Sequence, residues 1–146
     1  MGATHHDRGL GAVARVRGIR EQDARIGLQL ALNEEQLRER QVDALLERLS
    51  SADPELADDP VRVAEYRRAL MGLGGLIQEK REAVVEQNLI TADARSHWQA
   101  AANRLEIVEQ LLARRAAQRQ LAQAREEAKE LDDVASVRFA TGRQSA

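Results

Sequence analysis

Three histidines are the first side chains to weigh for chemistry. His5 and His6 adjoin near the N-terminus, and His97 stands alone. A metal centre needs three or four ligands at set spacings, and no such set follows His5 and His6. The chain has no cysteine, which removes thiolate ligands and disulfides together. The run EAKELDD, Glu127 to Asp133, is acid-rich, and a solvated helix face accounts for it better than a cation site does. No G-x-x-x-x-G-K-[ST] loop is present, and the glycines of GLGG, Gly72 to Gly75, follow no strand, so no phosphate cradle is expected. The few serines lack a matching His–Asp pair. The expectation is a protein with no catalytic residues, no metal and no cofactor.

Three other groups invite a role in binding. Trp98 reads as a packing residue where two helices meet near Val13 and Val16, with a partner contact as the alternative. Arg114, Arg115 and Arg119 form a basic patch on adjacent turns, either solvated with i,i+4 partners or facing an acidic partner. Leu73, Leu76 and Ile77 make an apolar surface beside the glycines. Either Leu45, Leu46 and Leu49 cover it, or it is a binding patch.

The elements that carry these residues are legible in the composition. Aromatics are 2% of the 146 residues and charged residues 32%, so a thick core of aromatic bulk is excluded. Ala, Leu, Glu, Gln and Arg dominate, and these form helices well. A formal net charge of −2, with both signs mixed along the chain, argues against nucleic-acid binding. No apolar run approaches the ~20 residues of a membrane span, and the N-terminus lacks the apolar stretch of a signal peptide. These features predict a cytoplasmic protein without direct membrane insertion.

Both prolines, Pro54 and Pro60, fall in SSADPELADDP, Ser50 to Pro60. Ser50, Ser51 and Asp53 end a first helix, and Asp58 or Asp59 caps a second with Pro60 in its first turn. The pattern predicts residues 1–11 disordered, a first helix over 12–50, a connector over 51–60, a second helix over 61–139 and a disordered tail over 140–146. In the first helix Ile26, Leu30 and Leu37 define one stripe, continued by Val42, Leu45, Leu46 and Leu49 on a neighbouring face. In the second, a strict 3-4 spacing from Leu70 meets Leu73, Ile77, Val84, Ala94, Trp98, Ala101, Leu105, Val108, Leu112 and Ala122. It is broken at Lys80, Gln87, Thr91, Arg115 and Arg119. That is an imperfect coiled-coil seam. A short connector forces neighbouring helices antiparallel. The fold expected is therefore all-α, an antiparallel two-helix coiled-coil hairpin with a longer second helix. Gly72, Gly74 and Gly75 either bend that helix or admit a close backbone.

The arms are unequal, roughly 60 Å against roughly 120 Å at 1.5 Å per residue. Folding at residue 55 or 56 sets position i opposite about 111 − i, with Val13 across from Trp98. The second helix beyond Ala101 then has nothing in its own chain to pack on. An isolated helix with an apolar stripe is marginal in water, so a second copy or another protein is expected to grip it, unless the helix breaks near the glycines.

Four segments in order resemble the FliJ family of flagellar export proteins. They are VARVRGIREQDAR (Val13 to Arg25), EYRRALMGLGGLIQEKR (Glu65 to Arg81), SHWQAAANRLEIVEQL (Ser96 to Leu111) and AREEAKELDDVASVRF (Ala124 to Phe139). The resemblance spans roughly residues 13–139, and the Gly72–Gly75 cluster departs from it. It implies a non-enzymatic stalk, similar to the central stalk of rotary ATPases. Such a stalk inserts the end with both termini into the hexameric export ATPase FliI, touches the export gate protein FlhA with the hairpin end, and binds export chaperones. Carried onto this sequence, the ATPase-facing candidates are Val13, Val16, Arg20, Val134 and Arg138, joined by Leu105 and Leu112 on the uncovered seam. The gate-facing candidates are Ala69, Leu73, Leu76 and Lys80, with Leu45 and Leu49 opposite. The resemblance implies a cytoplasmic position at the inner-membrane face of the export apparatus. An injectisome or rotary-ATPase stalk protein, or a self-associating coiled coil with no ATPase partner, are the alternatives.

Overall fold

The computed structural model describes residues 5–53 and 59–144. The expectations for residues 1–4, for most of the connector (54–58) and for 145–146 lie outside the described residues. The described residues form two helices: α1, His5–Ser50, and α2, Pro60–Gln144. They pack as an all-α antiparallel hairpin in which α2 is the longer, 85 residues against 46.

The helix ends follow local chemistry. Asp59 caps α2: its Oδ1 accepts from the Val61 amide at 3.2 Å, and its carbonyl accepts from the Val63 amide at 3.0 Å. Pro60 is the first helical residue, where its missing N–H costs nothing. At the end of α1 the Ser50 and Ser51 hydroxyls donate to the carbonyls of Glu47 and Arg48. Both outer limits differ from the sequence reading. α1 begins at His5 rather than near Ala12, and α2 continues to Gln144 rather than Phe139. Gly9 and Gly11 lie within α1. Asp7 in this first stretch forms ion pairs with Arg115 and Arg119 of α2.

The described residues up to Gly18, with those from Asn103 onward, form one unit; Ile19–Ala102 form the other. In the central unit three cross-helix hydrogen bonds fix the register. Trp98 Nε1 donates to Glu21 Oε1 at 2.8 Å, Gln87 Nε2 to the Ala31 carbonyl at 3.1 Å, and Arg38 Nη1 to the Ala83 carbonyl at 3.1 Å. Position i of α1 therefore faces about 120 − i, not 111 − i. The 111 figure came from folding the chain at residue 55 or 56, midway between the helix ends, and those ends are where the sequence placed them, Ser50 and Pro60. The offset comes from the cross-helix hydrogen bonds of Glu21, Ala31 and Arg38, which pair α1 with residues further along α2.

On α2 the buried and half-buried positions reproduce the 3-4 seam from Leu70 through Leu112, and its polar breaks Lys80, Gln87, Thr91 and Arg115 belong to that face. On α1 the seam is a different row from the one its largest aliphatics suggest. It runs Asp7, Leu10, Ala14, Arg17, Glu21, Ala24, Leu28, Ala31, Glu35, Arg38, Val42 and Leu45, a 3-4 spacing with every member buried or half-buried. Ile26, Leu30 and Leu37 are exposed. Hydrogen bonding explains the choice. The polar breaks of α2 need partners when removed from water, and the Ala–Glu–Arg row of α1 provides them.

Through the Gly72–Gly75 stretch α2 continues without a break, and none of its glycines has a positive φ. A Cβ at Gly72, Gly74 or Gly75 would meet nothing within 4 Å. These glycines therefore neither interrupt the helix nor mark a close approach within the chain.

Candidate interaction surfaces

The pairing face is an unusually polar one. Gln87 is 3% exposed and Thr91 2%, deeper than any aliphatic residue of the chain among the described residues. Both donate to the Ala31 carbonyl, Thr91 Oγ1 at 3.4 Å. The small Ala31 side chain lets them reach it. Seven residues towards the C-terminus, Arg38 spans from Glu34 to the Ala83 carbonyl. Glu21, also buried, accepts from Trp98 and from Arg25 of its own helix. The Trp98 bond, then the Arg25 bonds, hold its carboxyl below the ordinary value of 4.5, against a desolvation that pushes the other way. Trp98 is thus a packing residue, but its partner is Glu21, not Val13 or Val16. The earlier pairing followed from the 111 − i register.

In the other unit the basic patch divides. Arg115 pairs with Asp7 Oδ1 at 3.4 Å, and Arg119 pairs with Asp7 Oδ2. Asp7 is buried beneath them. Two of the three arginines therefore staple the start of α1 to α2, and Arg114 remains exposed. Leu105 and Leu112 are half-buried on the same face of α2, in step with Leu10 and Ala14 of α1. The expectation of an unpaired helix beyond Ala101 is corrected here. α1 starts earlier and pairs further along, so α2 is covered to about Arg119.

From Ala117 to Ala140 every residue of α2 is exposed. This stretch carries Leu121, Leu131, Val134, Val137 and Phe139, each at least half exposed. Val134 and Arg138 lie in it. Val13 and Val16 are exposed on α1 in the same unit, and Arg20 is exposed in the central unit. These five candidates are accessible side chains; Leu105 and Leu112 are pairing residues.

Near the connector, Leu45, Leu46 and Leu73 are half-buried and Ile77 is 5% exposed, so the helix-one leucines cover that part of the patch. Lys80 is half-buried on the same seam. Ala69, Leu76 and Leu49 remain exposed. Of the six gate-facing candidates, three are thus on the pairing face and three are open. The exposed row on α1 that includes Ile19, Ile26, Leu30 and Leu37 escaped the sequence reading as a surface, because it was taken for the seam. Counting back from Leu45 and Val42 in steps of three and four would have found the true seam.

Among the described residues no helix is long and apolar enough to cross a membrane, and no group of three acidic, histidine or cysteine side chains is placed to hold a metal ion. No curated protein and no solved structure matches the chain. A family model does, that of the flagellar FliJ protein, over residues 6–144. Two antiparallel helices with a polar seam, matched over nearly their whole length, place the chain in the flagellar FliJ protein family, coiled-coil proteins related to flagellar protein export.

Proposed function

We propose that this chain is a non-enzymatic stalk and adaptor of the flagellar type III export apparatus. It inserts the end carrying its termini into a FliI-like export ATPase ring, presents its connector end to an FlhA-like gate protein, and docks export chaperones. It works in the cytoplasm, at the inner-membrane face of the apparatus. The observation that carries this reading is the exposed run of α2 from Ala117 to Ala140, with Leu121, Leu131 and Val134 along it. A helix with uncovered apolar side chains is marginal alone in water, and a ring that encloses it supplies the missing burial. The family match favours the flagellar system over an injectisome or rotary-ATPase stalk.

Val134, Arg138, Val13 and Val16 are the side chains the ring would touch, with Arg20 beyond them. Leu105 and Leu112 serve the same end indirectly, by holding α1 to α2. At the gate, Leu49, Ala69 and Leu76 make the contact, while Leu45, Leu73 and Lys80 shape the hairpin beneath it. The test is capture of the flagellar export ATPase of the same organism, with ATP turnover followed as this chain is added. Binding with stimulated, cooperative hydrolysis is expected. A folded chain that neither binds nor alters turnover would overturn the reading.

A further inference from the structure

The side of α1 that faces away from α2 is the more apolar one. Ile19, Ile26, Leu30 and Leu37 are between 50% and 64% exposed there. Together with Asp23 and Asn33 they occupy a 3-4 spacing over residues 19–37, the same spacing as the seam. Such a row packs a further helix by knobs into holes. Its flanking positions are Gln22, Gln29 and Gln36 on one edge and Arg20, Gly27 and Glu34 on the other.

We infer that this outer face of α1 binds the same face of a second copy of the chain, antiparallel, about a two-fold axis level with Leu28. The residue order specifies this arrangement. Residues equidistant from Leu28 face each other: Ile26 meets Leu30 of the second copy, Ile19 meets Leu37, and the two polar members of the row, Asp23 and Asn33, meet each other. On one flank Arg20 meets Glu34, both equidistant from Gly27, and the two Gly27 positions face across the axis. On the other flank Gln22 meets Gln36 and Gln29 meets itself. Arg20 has no ion-pair partner among the described residues. Glu34 uses Oε1 for Arg38 and keeps Oε2 for a further donor.

Other arrangements lose this match. A parallel pair sets Asp23 against Asp23, a buried like-charge contact. A shift of one heptad in either direction sets Asn33 against an aliphatic residue. In the chosen register every aliphatic of the row meets an aliphatic, Arg20 meets Glu34, and the Asp23 carboxylate meets the Asn33 amide, as a self-complementary two-fold interface requires. A Cβ at Gly27 would meet nothing within its own chain, so the glycine is not explained by the hairpin; at the two-fold it allows close approach. This inference goes beyond the stalk reading and stands without it. The dimer covers Arg20, so it competes with any partner that uses that residue.

The test is sedimentation equilibrium on the full chain, with short thiol-to-thiol crosslinking of single-cysteine variants, which the absence of native cysteine makes specific. The expected mass at micromolar concentration is twice the 16.2 kDa of one chain. Gln29→Cys should crosslink to itself efficiently. Gln36→Cys should not, because two copies of position 36 lie about 16 residues apart along the pair, about 24 Å. Arg20→Glu and Glu34→Arg should each weaken self-association at least about tenfold. An equal mixture of the two variants restores both charge pairs and should recover the doubled mass. A monomer at every concentration up to about 100 μM, or crosslinking at both 29 and 36 as a parallel pair requires, would overturn the inference. Circular dichroism of each variant guards against unfolding: Arg20, Gln29 and Gln36 are exposed, so helicity should stay at the level of the unsubstituted chain, and for Glu34, half-buried and paired with Arg38, recovery of the doubled mass in the mixture shows that the variant is folded.

Discussion

At the scale of single residues, the hairpin trades stability for register. Gln87 is buried, and its donor reaches a carbonyl that already serves the α1 ladder, so the bond adds little beyond what the desolvation of the amide costs. A polar residue at such a position fixes register and partner at the expense of stability. Gln87→Leu is therefore expected to raise stability by about 1 kcal/mol, while broadening the distribution of oligomers. Urea titration and sedimentation together check both halves. Glu21 gives the chain an acid-sensitive contact. Its carboxyl is held below 4.5 in the folded chain, first by Trp98 and then by Arg25. The stability it contributes is thus complete above 4.5 and is lost as pH falls through the lowered folded value. The melting temperature of the unsubstituted chain should fall more steeply below pH 4.5 than that of Glu21→Gln. Parallel curves would show that the Trp98 bond does not persist in solution.

At the scale of elements, each helix has two faces with different tasks. The seam of α1 is built from alanines, ion-pairing groups and a few aliphatics, and its outer face carries the larger side chains. On α2, Gly72, Gly74 and Gly75 sit in regular helix with open space around each missing Cβ. Glycine in a helix interior costs about 1 kcal/mol relative to alanine. Changing all three to Ala should stabilise the hairpin by about 2–3 kcal/mol, read as a rise in the melting midpoint. If gate-protein binding falls while stability rises, the glycines serve a close approach by the partner. Unchanged binding would leave them as a simple source of weakness in the helix.

For the whole molecule, the stalk reading demands that its two binding tasks separate. Deleting residues 120–146 removes the exposed run of α2 but leaves the Asp7–Arg115 and Asp7–Arg119 pairs intact. The hairpin should melt at an unchanged temperature, ATPase capture should be lost, and gate binding should persist. Leu76→Asp should do the reverse. Leu76 is exposed, so a charge there spares folding and is expected to weaken the gate contact about tenfold or more. Its half-buried neighbour Leu73 makes a poorer test, since a charge on the pairing face also loosens the hairpin. Loss of both activities in either variant would count against two independent surfaces.

Local chemistry determined much of this protein without reference to the fold. The two helices, the break between them, the Asp59–Pro60 start of α2 and its 3-4 seam from Leu70 all follow from propensity, capping and period. The family is legible in the sequence as well, through the resemblance of its four segments in order rather than through period or composition. Only tertiary structure decided which face of α1 turns inward. Hydrophobic size pointed to Ile26, Leu30 and Leu37, but the buried polar groups of α2 had to be satisfied, and Glu21, Ala31 and Arg38 meet them. It also decided the register, since the helix ends alone suggest 111 − i and the bonds made by Glu21, Ala31 and Arg38 set about 120 − i. Where α2 becomes exposed followed from that register: the Asp7 pairs with Arg115 and Arg119 carry α1 along α2 to the point where its open run begins.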